Sequence, residues 1–396
     1  MRNPALDAFR GLTVFLMLLV NNLPPGAPPW MGHGPFGHSY YLADWVFPWF
    51  LLAMGAAIPM SRRGFLQRGL PGWRYEVRLL HRAALLFLLG LGLTSLQAGR
   101  PVFALDVLQL IALAYLGAAW LYDLPPLRRL LLALLFLLGY GAALLLVPVP
   151  GVGVGVYRED ANLPLHLNRT YLAPLGLRGL PSAVPTGGFA LLATFLGEAL
   201  LEGRRGRTLA LGLLGLFLGL LGLFLLPPDK TYWTPTYLLL ALGVGAFLLL
   251  LLEGLPPWAQ APLRPLGANP LLAYVLPLAL KLTLLKAPLE ALLALLTARY
   301  GLLGGWAWTA GIFSGGGSYS SGSTACAFSS GFSLSPPRPG VLHPGAGLLP
   351  GGEGGPRLSP LAARGLRPGL RRLPGAGPEG GGEEGASRRP ASPSSW

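Results

Sequence analysis

Uninterrupted apolar runs constrain this chain more than any other feature. Several reach the roughly 20 residues that an α-helix needs to cross the hydrocarbon core of a bilayer. Of the 396 residues, 52% are hydrophobic and 12% charged, about half the charged share of a soluble domain. The alternating strands of about ten residues that mark a membrane β-barrel are absent from the sequence. The expected fold is therefore all-α: a polytopic transmembrane bundle of nine to ten helices in a lipid bilayer.

The runs place helices near 6–22, 42–60, 80–97, 104–122, 130–147, 185–202, 208–226, 235–253 and 269–285. A shorter apolar stretch, 287–300, is expected along the interface. Arg2 and Arg10 flank the first run, and no convincing small-residue cleavage site follows, so it reads as a retained helix. A long polar loop fills 148–183.

The net charge of +14 in a soluble protein would suggest nucleic acid. Here the arginines cluster in short loops at 61–79, 123–129 and 203–207, as the positive-inside rule requires of cytoplasmic loops. A cytoplasmic N-terminus in a multi-pass protein of the cell membrane satisfies the rule, and no nucleic-acid partner is expected. The single cysteine, Cys326, excludes an intramolecular disulfide and a cysteine-based metal cluster.

The character changes near residue 312. Residues 313–396 are rich in Gly, Pro, Ser and Arg, with no apolar period. This stretch is expected to be a disordered, low-complexity tail. The break falls where GGWAWTAG begins a last helix, and a shifted reading frame across it yields an apolar string. The tail therefore also reads as a frameshifted translation, and residues 1–312 as the working domain.

Chemistry concentrates in WMGHGPFGHSYYLADWVFPWF, Trp30 to Phe50. His33 and His38 precede Asp44 at the mouth of an apolar helix. Imidazole exchanges protons near neutral pH and can carry an acyl group. A carboxylate at a membrane helix mouth is costly and points to function. Two solvated loop histidines are the plainer alternative, and no further ligands complete a metal site. Asn21 and Asn22 close the first helix and offer amides to a substrate. Asn162 and Asn168 lie in the polar stretch YREDANLPLHLNRTY, which suits a sugar acceptor. Lys230 and Trp233 occupy DKTYWTPTY, as interface anchors or as substrate contacts. Arg10, Arg62, Arg63 and Arg82 form a candidate phosphate-binding patch, since guanidinium matches phosphate geometrically. Asp7 and Arg10 share one helix face.

ALDAFRGLTVFLMLLVNN followed by DWVFPWFLLAMGAAIPMS resembles the opening of the heparan-α-glucosaminide N-acetyltransferase family. VLQLIALAYL, DKTYWTPTYLLLALG and LGANPLLAYVL continue the resemblance in order, over roughly residues 3–312. It implies a membrane acyltransferase that takes acetyl-CoA as acyl donor from the cytoplasmic side and delivers the acetyl group to an amino sugar or glycan on the other. It also implies a catalytic histidine before the DWVFP motif, at His33 in preference to His38, with Asp44 as the motif acid and Asn269 among the substrate contacts. A transporter, or a lipid- or glycan-handling protein without covalent chemistry, is the competing class. It would set its polar groups near the bilayer midplane, whereas here they crowd one mouth. Oligomerisation is compatible with either.

Overall fold

The computed structural model of the chain describes residues 3–69, 71–268, 270–283 and 286–317. The expected tail from residue 318 onward, and Asn269, lie outside the described residues. Thirteen α-helices are present among them: α1 (Pro4–Val20), α2 (Leu42–Leu66), α3 (Gly72–Ala98), α4 (Val107–Leu121), α5 (Pro126–Leu146), α6 (Leu163–Leu167), α7 (Ala183–Leu201), α8 (Arg205–Gly222), α9 (Pro235–Gly254), α10 (Pro257–Gln260), α11 (Arg264–Ala268), α12 (Pro270–Leu282) and α13 (Lys286–Gly317). Three of them, α6, α10 and α11, are turns of four or five residues. The longer helices fall where the apolar runs predict them. The chain is an all-α polytopic membrane bundle, with six helices long and apolar enough to span a bilayer.

The helix ends follow from local chemistry. Asn3 caps α1 by accepting from Ala5 N–H and Leu6 N–H at 3.0 and 3.1 Å. Prolines open α5 and α9, where a missing N–H costs nothing.

Burial sorts the spans into layers. About 67%, 72% and 67% of the apolar windows of α2, α7 and α9 lie inside the bundle, against 22% for α3 and for α8 and 33% for α5. The first three form the core, and the last three face lipid. Lipid tails give helices no hydrophobic reason to associate, so small residues must bring backbones together. A Cβ at Gly55 of α2 would meet the Ala190 carbonyl oxygen, and one at Gly197 of α7 would meet that of Ala56. Phe189, Leu191, Leu51 and Leu52 fill the space between.

The arginines gather at one end of the bundle. There Arg62 pairs with Asp123 at 2.7 Å and Arg205 with Glu253 at 3.3 Å. Arg129 and Glu198 tie α5 to α7 through a two-pronged pair at 2.7 Å, with the guanidinium 4.2 Å from the Phe195 ring. In the sequence Arg129 reads as the end of a charged loop, and Glu198 as an acid near the inner end of a helix, solvated by neighbouring arginines or facing a polar cavity. The fold buries Arg129, because its acid partner arrives from a helix 69 positions away.

One expectation about the last helix changes. The stretch expected along the interface, 287–300, is the first part of α13, which continues to Gly317 across a break at Gly301. Glycine there adopts φ 56°, a conformation closed to most L-residues, so two helical pieces meet at a bend. The second piece packs inward. Trp308 is buried, and the Thr309 hydroxyl donates to the Asn22 carbonyl at 2.8 Å.

Candidate functional site

The opposite end of the bundle carries the histidines. Asp44 lies in the first turn of α2, where a carboxylate complements the helix dipole. Its side chain is fully buried, yet four groups surround it. Gly34 N–H and Tyr41 N–H donate to Oδ2 at 3.0 and 3.1 Å. His33 Nδ1 stands 3.0 Å from Oδ1, and Lys230 Nζ also 3.0 Å from Oδ1. A buried carboxylate is stable only with such compensation.

The loop that delivers His33 depends on glycine. A Cβ at Gly34 would collide with the His38 carbonyl oxygen and crowd Asp44 Oδ2. Gly37 adopts φ 74°, the left-handed conformation that glycine tolerates. The loop then locks to 227–234. Ser39 N–H donates to the Pro228 carbonyl at 2.9 Å, and Lys230 N–H donates to Ser39 Oγ at 2.9 Å. Stacked rings reinforce the join, with Phe36 5.3 Å from Tyr157 and 6.4 Å from Tyr232.

DWVFP contributes more than its acid. Pro48 has no N–H, so the Asp44 carbonyl four residues earlier lacks its helical partner. In a membrane helix an unmet carbonyl must be satisfied by a neighbour. The Tyr237 hydroxyl of α9 donates to that oxygen. Proline and tyrosine together fasten α9 to the residue that holds His33.

Lys230 and Asp229 divide the charge of the loop. Lys230 turns to Asp44, and burial pulls its ammonium below the usual lysine range. Asp229 accepts from Tyr157 Oη at 2.6 Å and from Thr231 and Tyr232 N–H at 3.2 and 3.3 Å. Burial raises its carboxyl above the ordinary value and pushes the Tyr232 phenol up to about 12. Trp233 sits at φ 56°, a strained conformation for a bulky residue that persists only where packing imposes it. Its ring is buried 4.5 Å from Phe47 and 5.9 Å from Tyr237.

The expected residues therefore separate. His33, Asp44 and Lys230 meet. His38 does not join them; it is exposed, with Nδ1 3.1 Å from Tyr40 Oη. Asn21 caps α1 through its backbone, and the Asn22 amide donates to Leu18 O at 2.6 Å. Asn162 accepts from Leu165 N–H and donates to Arg158 O, both at 2.8 Å, and Asn168 accepts from Gly179 N–H at 3.0 Å. These amides shape the outer loop. Among the arginines, Arg10 lies 3.5 Å from Asp7 and 3.4 Å from the Ala53 carbonyl. Arg62 is held by Asp123, while Arg63 and Arg82 are exposed. No cluster of three His, Cys, Asp or Glu side chains able to hold a metal occurs among the described residues. Ser39, Tyr157, Asp229 and Tyr237 did not stand out as site residues in the sequence. The one local signal was Pro48, whose spacing from Asp44 calls for an outside donor.

The arrangement has a definite chemical sense. An ionised carboxylate only accepts, so it selects the His33 tautomer with the proton on Nδ1 and leaves the Nε2 lone pair free. The His33 side chain keeps 39% of its surface exposed, which makes that nitrogen available to a substrate.

Heparan-alpha-glucosaminide N-acetyltransferase of Homo sapiens is 34% identical to the chain over 87 residues, which is 22% of this chain and 13% of that protein. The Mus musculus protein of the same name is 36% identical over 84 residues, 21% of this chain and 12% of that protein. These matches relate the chain to that family, and the matched part spans about one eighth of the curated relatives' length. No protein-family model matches the chain.

Proposed function

We propose that this chain is an integral membrane acyltransferase that moves an acetyl group from acetyl-CoA to an amino sugar or glycan at the histidine end of the bundle. The observation that carries the reading is the contact of His33 Nδ1 with buried Asp44, itself neutralised by Lys230. Orienter, imidazole and free nitrogen follow the logic of an activated nucleophile or base. The local likeness to proteins named as N-acetyltransferases supports it.

His33 Nε2 serves in one of two ways. As nucleophile, its lone pair attacks the thioester carbonyl, the C–S bond breaks, and the coenzyme thiolate leaves and takes up a proton. The amine then displaces imidazole from the acetyl group and loses its proton. As general base, Nε2 takes the amine's proton while the amine attacks the thioester directly; the C–S bond breaks, and the departing coenzyme thiolate takes up that proton. Asp44 stabilises the charged ring in both cases. The arginine-rich end is the cytoplasmic side and suits the coenzyme phosphates, with Arg63 and Arg82 exposed there.

The test is vectorial transfer in liposomes that hold the purified protein. Acetyl-CoA labelled in the acetyl group is supplied on the arginine side and glucosamine on the histidine side. Labelled N-acetylglucosamine on the histidine side is the expected product. Glucosamine crossing unmodified would overturn the reading in favour of transport.

A further inference from the structure

Arg62, Arg129 and Arg205 each meet an acid, but two outer-loop arginines do not. Arg169 and Arg178 have no carboxylate within ion-pair distance among the described residues, although Arg178 is half-buried. The fold holds them together. Asn168 accepts from Gly179 N–H at 3.0 Å, which clamps the backbone beside one arginine to the backbone beside the other. Both positive charges act on the Tyr232 phenol, and burial together with the charge of Arg169 lowers Arg178 from its usual value. Asp106 offsets this only from beyond ion-pair distance, and its Oδ1 accepts from Val107 N–H at 2.9 Å. Two neighbouring like charges without an ion-pair partner, one of them half-buried, are an arrangement that an anion stabilises.

A groove adjoins this pair. It has a volume of about 450 Å³, opens outward, and is lined by Leu91, Gly92, Ser95, Pro101, Val102 and Phe103. It lies at the last turns of α3, one of the two least buried spans. Leu105 N–H donates to the Arg178 carbonyl at 3.3 Å, and Gly176 packs on Phe103. The backbone that carries Arg178, clamped to that of Arg169, is therefore joined to the segment that lines the groove. The same outer loop carries exposed Tyr171 and Leu175, the composition of a membrane interface.

We propose that Arg169 and Arg178, with the groove beside Phe103, bind a phosphate-bearing lipid, the phosphate between the guanidiniums and the chain along the groove. Basic pockets at membrane interfaces recognise lipid headgroups in this way, and charge opposite to phosphate selects this occupant over a neutral lipid. Tyr232 and Phe36 connect the pair to the His33 loop. A sugar linked to the bound phosphate would thus be presented at the mouth that holds His33. Only this last step rests on the acyl-transfer reading.

Native mass spectrometry of the full chain in detergent tests the site without any acyl donor. The probes are phosphatidic acid, diacylglycerol of the same chains, and glycerol 3-phosphate. Phosphatidic acid should bind at least about tenfold tighter than either of the others, a difference of about 1.4 kcal/mol. Arg169→Gln with Arg178→Gln should remove that advantage, and exposed Arg169→Gln alone should weaken binding severalfold without threatening the fold. Gly92→Phe should fill the groove, because no atom lies within 4 Å of a Cβ there, and should weaken phosphatidic acid alone. Equal binding of phosphatidic acid and diacylglycerol, or retention by the double variant, would overturn the site. Glycerol 3-phosphate binding as tightly as phosphatidic acid would overturn the lipid as occupant. Failure of acetyl transfer with these binding results intact would count against the chemistry and leave the site standing.

Discussion

Replacing Lys230 by methionine strands a carboxylate that the fold has closed off from water. The perturbation keeps most of the apolar stem and deletes the charge. At 3.0 Å from Asp44 Oδ1, the ammonium contributes about 5.5 kcal/mol of attraction at an effective dielectric of about 20. Desolvation of both ions offsets part of this, and breaking a buried pair from one side typically costs about 3–5 kcal/mol. Asp44 keeps its contacts with His33, Gly34 and Tyr41, which places Lys230→Met at the lower end, about 3 kcal/mol. Asp44→Asn should cost at least as much, because it leaves a buried ammonium without its anion. The double variant should lose about 2 kcal/mol less than the sum of the singles. Thermal unfolding in detergent reads this as a drop of about 6–12 °C for each single variant, with the double about 2–4 °C beyond either one. Strict additivity, or single variants within about 0.5 kcal/mol of the parent, would refute the claim that these charges hold each other in place.

Three more outcomes follow from the same geometry. Tyr237→Phe should cost about 1–3 kcal/mol by orphaning the Asp44 carbonyl, and should cost less in a Pro48→Ala background, where a restored helical N–H meets that oxygen; equal losses in both would exclude this role. Glu198→Ala should cost about 3 kcal/mol by leaving Arg129 buried without its anion, whereas Glu253→Ala, facing exposed Arg205, should change the midpoint by no more than about 1 kcal/mol; similar shifts would contradict the assignment of core and rim. Burial raises Asp229 above its ordinary value, so the folded state binds that proton more tightly than the unfolded chain does. The contribution of this group is therefore most favourable below about pH 4 and declines as pH climbs through the raised folded value. Thermal midpoints from pH 4 to 8 should show a decline that Asp229→Asn flattens, and parallel curves would count against it.

The bundle was legible because a bilayer leaves few choices. Run length located α1, α7 and α9 to within about two residues, and an acid at a helix mouth marked Asp44. The divide between His33 and His38 was not legible. It depends on Gly34 and Gly37 turning the loop so that one ring meets Asp44 and the other meets Tyr40, and the family resemblance, not spacing, favoured His33. Lys230 read as an interface anchor or a substrate contact, because its partner comes from a different loop. Arg129 read as one more positive-inside charge because burial is decided by Glu198, far away in sequence. Asn162 and Asn168 stood out for polarity, and the structure engages both in loop backbone. In each case local composition was visible, while the partner that sets the role arrives only with tertiary packing. The join within α13 escaped for a related reason: 287–300 and the helix beginning at GGWAWTAG read as separate, yet the positive φ of Gly301 lets the second piece follow the first and dock on Asn22.

The central claim is that His33 carries acyl transfer. The most direct measurement is label passed from acetyl-labelled acetyl-CoA to glucosamine by the reconstituted full chain, compared with His33→Ala and His38→Ala at equal folded protein. Transfer that His33→Ala abolishes and His38→Ala largely preserves is the expected result. Transfer undiminished by His33→Ala, or lost only with His38→Ala, would contradict the account.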